Sequence, residues 1–251
     1  MSIMNLKGWM ERDGVRLSPA DVERMLEEGP QSLSRCGGEF LLVRGDCIAR
    51  DAFGIMPGPV PPGTIYCGGR EAARIFPDPP PCTLEEAIVT AVDLRSDEGV
   101  VAFSGGVDSG LIAHLARLPC VTVGIEGSHD IAWATKAARA LELDLEIVTP
   151  TEEEIEEKLA QVVRVIPDPT NPVDAAIATT LAFAAAWAGE HGHTRVLAGQ
   201  GADELFGGYA RYLSSPDLAA DLERDFADLG RQGARDHAVA ALHGVYFSMP
   251  Y

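Results

Sequence analysis

The spacing of apolar residues changes several times along this chain, and each change marks an element. Residues 1–35 carry a weak signal with one exception. Ser18-Pro19-Ala20-Asp21-Val22-Glu23-Arg24-Met25-Leu26-Glu27-Glu28-Gly29 opens on a helix-start Ser-Pro, keeps apolar residues at helical spacing and closes on glycine, which predicts a short amphipathic helix. Glu39-Phe40-Leu41-Leu42-Val43 and Cys47-Ile48-Ala49-Arg50 read as strands joined by a hairpin turn at Arg44-Gly45-Asp46. With the proline-rich bend at Val60-Pro61-Pro62-Gly63-Thr64, residues 36–69 predict a small β layer. Pro77-Asp78-Pro79-Pro80-Pro81 then reads as a stiff, extended linker.

Beyond the linker the pattern alternates. Thr83 to Val92 is a helix, with Thr83 and Glu86 spaced as a capping box. Val100-Val101-Ala102-Phe103 is a buried strand that breaks at two glycines and restarts as a helical pattern at Leu111-Ile112. Val121 to Ile125 predicts a second strand, Asp130 to Leu143 a helix and Leu145 to Val148 a third strand. Thr151 caps an amphipathic helix running to about Ile166, and Asp168-Pro169-Thr170-Asn171-Pro172 breaks it. Its acid run, Glu152-Glu153-Glu154, reads as a helix-start charge cluster. Asp174 to Trp187 is a helix apolar on nearly all sides and therefore buried, and Arg195 to Ala198 is a fourth strand. Such alternation predicts an α/β fold with a doubly wound parallel sheet. Ligands in these sheets sit beyond the carboxyl ends of the strands, near the topological switch. Two glycine-bearing turns lie at such ends, Ser104–Ser109 and Gly199–Asp203.

The first turn, Ser104-Gly105-Gly106-Val107-Asp108-Ser109, places backbone N–H groups and two hydroxyls at a helix N-terminus, a ready-made anion site. Glycine permits close approach of a phosphate, and Ser104 and Ser109 can add hydroxyl donors. Taken alone, a Gly-Gly strand-to-helix turn with Asp108 as a helix-start charge would need no ligand. A carboxylate inside a phosphate cradle, however, calls for a divalent cation between the two, and oxygen-ligated Mg²⁺ is the natural choice. The turn lacks the Gly-Lys-Ser/Thr of a Walker A loop. In the second turn, Ala198-Gly199-Gln200-Gly201-Ala202-Asp203-Glu204-Leu205-Phe206-Gly207-Gly208-Tyr209, a strand again opens into glycines and then a carboxylate pair. Glu204 alone reads as a capping acid, whereas Asp203 can share one Mg²⁺ with Asp108.

Composition narrows the partners. The 251 residues leave room for one large domain, or one plus a small one, and 46% are hydrophobic, enough for a real core. A formal charge of −18 disfavours nucleic acid and anionic membrane. No apolar run approaches the ~20 residues of a membrane span, and the start lacks a signal peptide's apolar core, so the expected location is cytoplasmic. Cys36, Cys47, Cys67, Cys82 and Cys120 are odd in number and contain no C-x-x-C, which predicts free buried thiols and neither a disulfide framework nor a zinc ribbon.

The string Ser-Gly-Gly-Val-Asp-Ser resembles the pyrophosphate loop of the ATP pyrophosphatase (PP-loop) superfamily. The stretch Ala198–Tyr209 resembles the Ser-Gly-x-Gly-Ser-Asp-Glu-Leu-Phe-Gly-Gly-Tyr signature of asparagine synthetases and β-lactam synthetases. The resemblance runs from about Thr83 to the C-terminus. It implies that backbone near Ala102 and Val123 holds the adenine of ATP. It places the pyrophosphate on Ser104, Gly105, Gly106, Val107, Asp108 and Ser109, and the nucleotide against Ala198, Gly199, Gln200 and Gly201. Asp108 and Asp203 would bind Mg²⁺. It also implies the reaction: AMP is attached to a carboxylate, aspartate being one candidate, pyrophosphate leaves, and ammonia or an amine attacks.

Gly38-Glu39-Phe40 and Arg50-Asp51-Ala52-Phe53-Gly54-Ile55-Met56-Pro57 resemble the closing strands of the glutaminase domain that precedes such synthetases. That glutaminase uses an N-terminal cysteine, and Ser2 stands in its place here. Residues 1–80 are therefore expected to be a remnant without glutaminase activity, and residues 83–251 a synthetase-like domain truncated at its C-terminus.

Other departures are Gln200 for the usual Glu, Ala198 for Ser, and Tyr246 and Ser248 for a Glu and an Arg near the C-terminus. His237 and His243 lie on a helical pattern and are not expected to be catalytic. The alternatives to an adenylating enzyme are a catalytically inactive nucleotide-binding or regulatory module and a PP-loop enzyme that modifies tRNA. A homo-oligomer or a partner subunit is compatible with every one of these.

Overall fold

Buried apolar side chains fall into two separate clusters, and the computed structural model divides accordingly into two units, with the division between Thr90 and Ala91. It describes residues 3–251; Ser2, on which the nucleophile expectation rests, lies outside the described residues.

The first unit comprises β1 (Met4–Arg12), β2 (Val15–Arg16), α1 (Pro19–Glu28), β3 (Gly37–Arg44), β4 (Cys47–Arg50), β5 (Thr64–Cys67) and β6 (Arg70–Arg74). The strands form one antiparallel sheet in the order β2-β1-β3-β4-β5-β6. Helix α1 starts where the pattern predicts, on a capping box between Ser18 and Asp21, and buries Val22 and Met25 in a core with Met10, Phe40, Leu42 and Ile65. Strand β1 lies inside the stretch that carried little signal. Its apolar alternation is interrupted at Gly8, which has φ +81° and passes so close to β3 that a Cβ would sit 1.9 Å from the Glu39 carbonyl oxygen.

The Arg50-Asp51 loop satisfies itself. Arg50 donates from Nε to the Met56 carbonyl (2.6 Å), from Nη1 to that of Val60 (3.1 Å) and from Nη2 to that of Gly54 (2.8 Å). Asp51 accepts the backbone N–H groups of Ile55 and Met56 at 2.8 and 2.9 Å, and burial pushes its carboxyl up to about 6 even so. The cysteine expectation is corrected here. Cys47 and Cys67 face one another across β4 and β5 and form a disulfide, while Cys82 is exposed; only Cys36 and Cys120 are buried free thiols. Sequence spacing could not show that antiparallel pairing brings positions twenty residues apart into register.

Helix α2 (Leu84–Asp93) begins on the expected capping box, with Thr83 N donating to Glu86 (2.8 Å) and Glu86 N to Thr83 (3.2 Å). The second unit then runs β7 (Val100–Ala102), α3 (Val107–Ala116), β8 (Cys120–Val123), α4 (His129–Leu141), β9 (Leu145–Val148), α5 (Glu152–Val162), α6 (Pro172–Glu190), β10 (Arg195–Leu197), α7 (Ala202–Phe206), α8 (Leu218–Ala241) and β11 (Tyr246–Ser248). All five strands are parallel, in the order β11-β10-β7-β8-β9. This is the expected doubly wound parallel α/β architecture, with one strand more than the pattern predicts. Strand β11 is only three residues long, and its Phe247 is fully buried. Helix α5 ends at Val162, four residues earlier than expected.

Among the described residues one helix, α6, is long and apolar enough to cross a membrane by length and composition, a longer apolar run than the sequence reading recognised. Its Ala178, Ala182, Ala185 and Ala188 are packed into the core with Val100, Val121 and Val196. Phe247→Ala should cost about 3–5 kcal/mol of the second unit's stability, read as a lower urea midpoint at unchanged slope. A loss below about 1 kcal/mol would mean that β11 is not part of the packed sheet.

Candidate active site

The sheet order defines a switch point. From β7 the chain builds outward through β8 and β9, then crosses back to place β10 on the other side of β7. The turns after β7 and β10 therefore diverge around one crevice at the carboxyl ends. There the structure has a cleft of about 500 Å³, the size of a small-molecule site. Ala102 and Val123 line it from the ends of β7 and β8, Ser104, Asp108 and Ser109 from the first turn, and Ala198, Gly199, Gln200, Gly201 and Asp203 from the second. Gly105, Gly106 and Val107 belong to the same turn but are not part of the wall.

The first turn is held by its own polar groups. Ser104 N donates to Ser109 Oγ (3.2 Å), the two hydroxyls bond each other (3.1 Å), and Gly106 N donates to Ser104 Oγ (3.2 Å). The serines that sequence reasoning offered as ligand donors thus shape the turn as well. Gly105 has φ +78°, and a Cβ there would lie 2.8 Å from Ala134 Cα. Trp133 of α4 braces it further by donating from Nε1 to the Gly105 carbonyl at 3.1 Å. Helix α3 has no side-chain N-cap, and its first helical backbone bond comes from Gly110 to the Gly106 carbonyl. The amides of Val107, Asp108 and Ser109 precede it, so the helix start is left for an external acceptor.

The second turn abuts the first. A Cβ on Gly199 would lie 3.2 Å from Asp108 Cβ, so glycine is what lets the two turns approach. Asp203 stands in the first turn of α7, and burial pushes its carboxyl up, reinforced by the Asp108 and Glu204 charges and opposed by Arg211. Glu204 is buried and accepts the Tyr209 hydroxyl (2.7 Å) and Gln232 Nε2 (3.2 Å). Tyr251 donates its hydroxyl to the Asp108 carbonyl at 3.0 Å and packs edge-on against Phe206.

Asp130, Thr180, Gln232 and Arg235 also line the cleft and were not foreseen. Gln232 and Arg235 sit on α8, far along the chain from both turns. His237 is buried and His243 lies beside Lys158; neither lines the cleft.

Among the described residues no group of three or more His, Cys, Asp or Glu is arranged to hold a metal by itself. The cleft instead offers the carboxylates of Asp108 and Asp203, an all-oxygen pair. That donor set fits Mg²⁺, which binds through one or two carboxylates and completes its octahedron with substrate oxygens and water.

The family model for asparagine synthase matches residues 83–246. This chain belongs to the asparagine synthase family. Asparagine synthase relatives include a Methanocaldococcus jannaschii protein provisionally named asparagine synthetase (glutamine-hydrolyzing) 1, 35% identical over 67% of this chain and 33% of its own length. Asparagine synthetase (glutamine-hydrolyzing) 1 of Bacillus subtilis is 39% identical over 48% of this chain and 20% of its own length. The chain thus spans a third or less of these relatives. Similar solved structures include an NH3-dependent NAD synthetase from Campylobacter jejuni (17% identity, TM-score 0.36, 52% of this chain and 62% of that one) and an NMN synthetase from Francisella tularensis (16%, 0.36, 67% and 89%). Residues 83–246 form an asparagine synthase-like domain.

Asp203→Asn removes one of the mutually repelling acids. Because the folded carboxyl titrates above its unfolded value of about 3.9, ionising it weakens the fold, and that cost develops as pH rises through the raised value. The ligand-free variant should therefore melt at or slightly above wild type at neutral pH, with the advantage vanishing in acid. A clear fall in melting temperature at pH 7 would make Asp203 a packing residue.

Proposed function

We propose that this chain binds ATP with Mg²⁺ in the cleft and uses it to adenylate a carboxylate, releasing pyrophosphate and passing the acyl group to ammonia or an amine. One observation carries the reading: the uncapped start of α3 and the Asp108–Asp203 pair converge on a single cleft at the switch point of the sheet. The adenine lies along the backbone of Ala102 and Val123, and the nucleotide against Ala198, Gly199, Gln200 and Gly201. The amides of Val107, Asp108 and Ser109 receive the pyrophosphate, in a turn shaped by Ser104, Gly105 and Gly106. When bound, Mg²⁺ neutralises the phosphate charge that Asp108 and Asp203 would otherwise repel.

A carboxylate oxygen of the acid attacks the α-phosphorus, and the bond from that phosphorus to the bridging oxygen breaks. The electron pair leaves with pyrophosphate, whose charge grows where the helix amides point. The nitrogen then attacks the acyl carbon, loses a proton, and AMP departs. No protein nucleophile is required, so the chain's part is to bind and orient.

Residues 1–80, within the first unit, are read as a glutaminase-like remnant without glutaminase activity. Nitrogen would then arrive as free ammonia, as an amine, or from a partner subunit.

Incubation with ATP, Mg²⁺, aspartate and ammonia should yield AMP and pyrophosphate in an aspartate-dependent manner. Bound ATP with no AMP from aspartate or from a panel of other acids would overturn the enzyme reading and leave a nucleotide-binding module.

A further inference from the structure

The peptide that joins Gly105 to Gly106 is pinned at both ends by side chains. Its carbonyl accepts Trp133 Nε1 (3.1 Å), and its N–H donates to Ser104 Oγ (3.2 Å). Among the described residues no backbone group bonds either of them. Little else restrains such a peptide. A flip rotates ψ of the first residue and φ of the second, and both residues here are glycine. Gly106 has φ −70° and would be carried to a positive φ, which a residue with a Cβ resists and glycine does not. The flipped turn would present the Gly105 oxygen where the Gly106 N–H now points, toward Ser104 at the cleft wall. An anion there would meet a carbonyl dipole of the wrong sign.

Core packing does not account for Trp133. It is 49% exposed, and α4 buries Ala134 and Ala138 instead. Its ring stacks with His129 one turn before (centroids 6.3 Å and planes 11° apart), and Lys136 Nζ lies 5.5 Å from its centroid. Both neighbours belong to α4, so the helix itself holds the indole ready for the Gly105 carbonyl. The fit is close: a Cβ on Gly105 would lie 3.0 Å from Trp133 Cδ1.

We propose that Trp133 is a positioning residue for the first turn: its indole N–H holds the Gly105 carbonyl and so keeps the Gly105–Gly106 peptide in the orientation that accepts a phosphate chain. This rests on the phosphate reading of that turn above, and it adds the residue, on a different helix, that selects the competent conformation.

The test is calorimetric titration of the full chain with inorganic pyrophosphate in excess Mg²⁺, together with amide NMR. Wild type should bind pyrophosphate and show single sharp signals for Gly105 and Gly106. Trp133→Phe keeps an aromatic ring and loses the donor. It should bind pyrophosphate about fivefold more weakly, the worth of one hydrogen bond, and broaden Gly105 and Gly106 by exchange while Ala134 and Ala138 stay sharp. A general packing defect would not confine the broadening to those two glycines. Unchanged affinity, unchanged glycine signals, or disturbance spread through α4 would each overturn the proposal, as would glycine signals already broadened in wild type. A second measurement needs no variant. In wild type the Trp133 indole proton should keep its hydrogen-bonded chemical shift when pyrophosphate and Mg²⁺ are added; losing it on binding would also overturn the proposal. If wild type takes up no pyrophosphate, the phosphate reading of the turn fails first, and this proposal with it.

Discussion

The second unit depends on the close approach of two turns at the middle of a parallel sheet. Strands β7 and β10 run side by side, so whatever follows each of them emerges into the same crevice. Gly199 allows the β10 turn to press against Asp108, and Gly105 allows the β7 turn to press against α4. The result is an uncapped helix start beside Asp203, whose charged form is disfavoured by burial and by the Asp108 charge. Such an arrangement is unfavourable in isolation, and chains that retain strain or repulsion at one place commonly use it there. On the proposed reading, a phosphate group with its cation would relieve both features at once.

Around that centre the charges are organised by burial. Asp174 from α6 and Arg231, Arg235 and Asp236 from α8 tie two helices together beneath the cleft, and Gln200 joins them to the β10 turn. Buried ion pairs of this kind contribute little net stability after desolvation, so their worth here lies in fixing geometry. A displacement of α8 would move Gln232 and Arg235 together, and through Gln200 it would move the turn that carries Asp203.

The core of this arrangement was legible in the sequence because the two turns are local. Each is a strand, then glycines, then an acid at a helix start, all within a dozen residues. The helix starts at Ser18, Thr83 and Thr151 were legible for the same reason. What escaped notice depends on distant partners. Strand β11 has three residues and acquires its identity only by pairing with β10. Strand β1 is interrupted by Gly8, and Cys47 finds Cys67 only through sheet register. Arg235 and Gln232 reach the cleft because α8 packs on α6, which no periodicity within α8 reveals. The sequence also marked Ser104 and Ser109 for the site without showing that their hydroxyls bond each other first.

The central claim is that Asp108 and Asp203 face bound phosphate through a shared divalent cation. The most direct measurement is the affinity of the wild-type chain for ATP by equilibrium titration, with Mg²⁺ and again in excess EDTA. Carboxylates that repel bare phosphate should make binding at least tenfold weaker without the cation. Equal affinity in EDTA would contradict the account, because ATP would then occupy the cleft without needing those two acids neutralised.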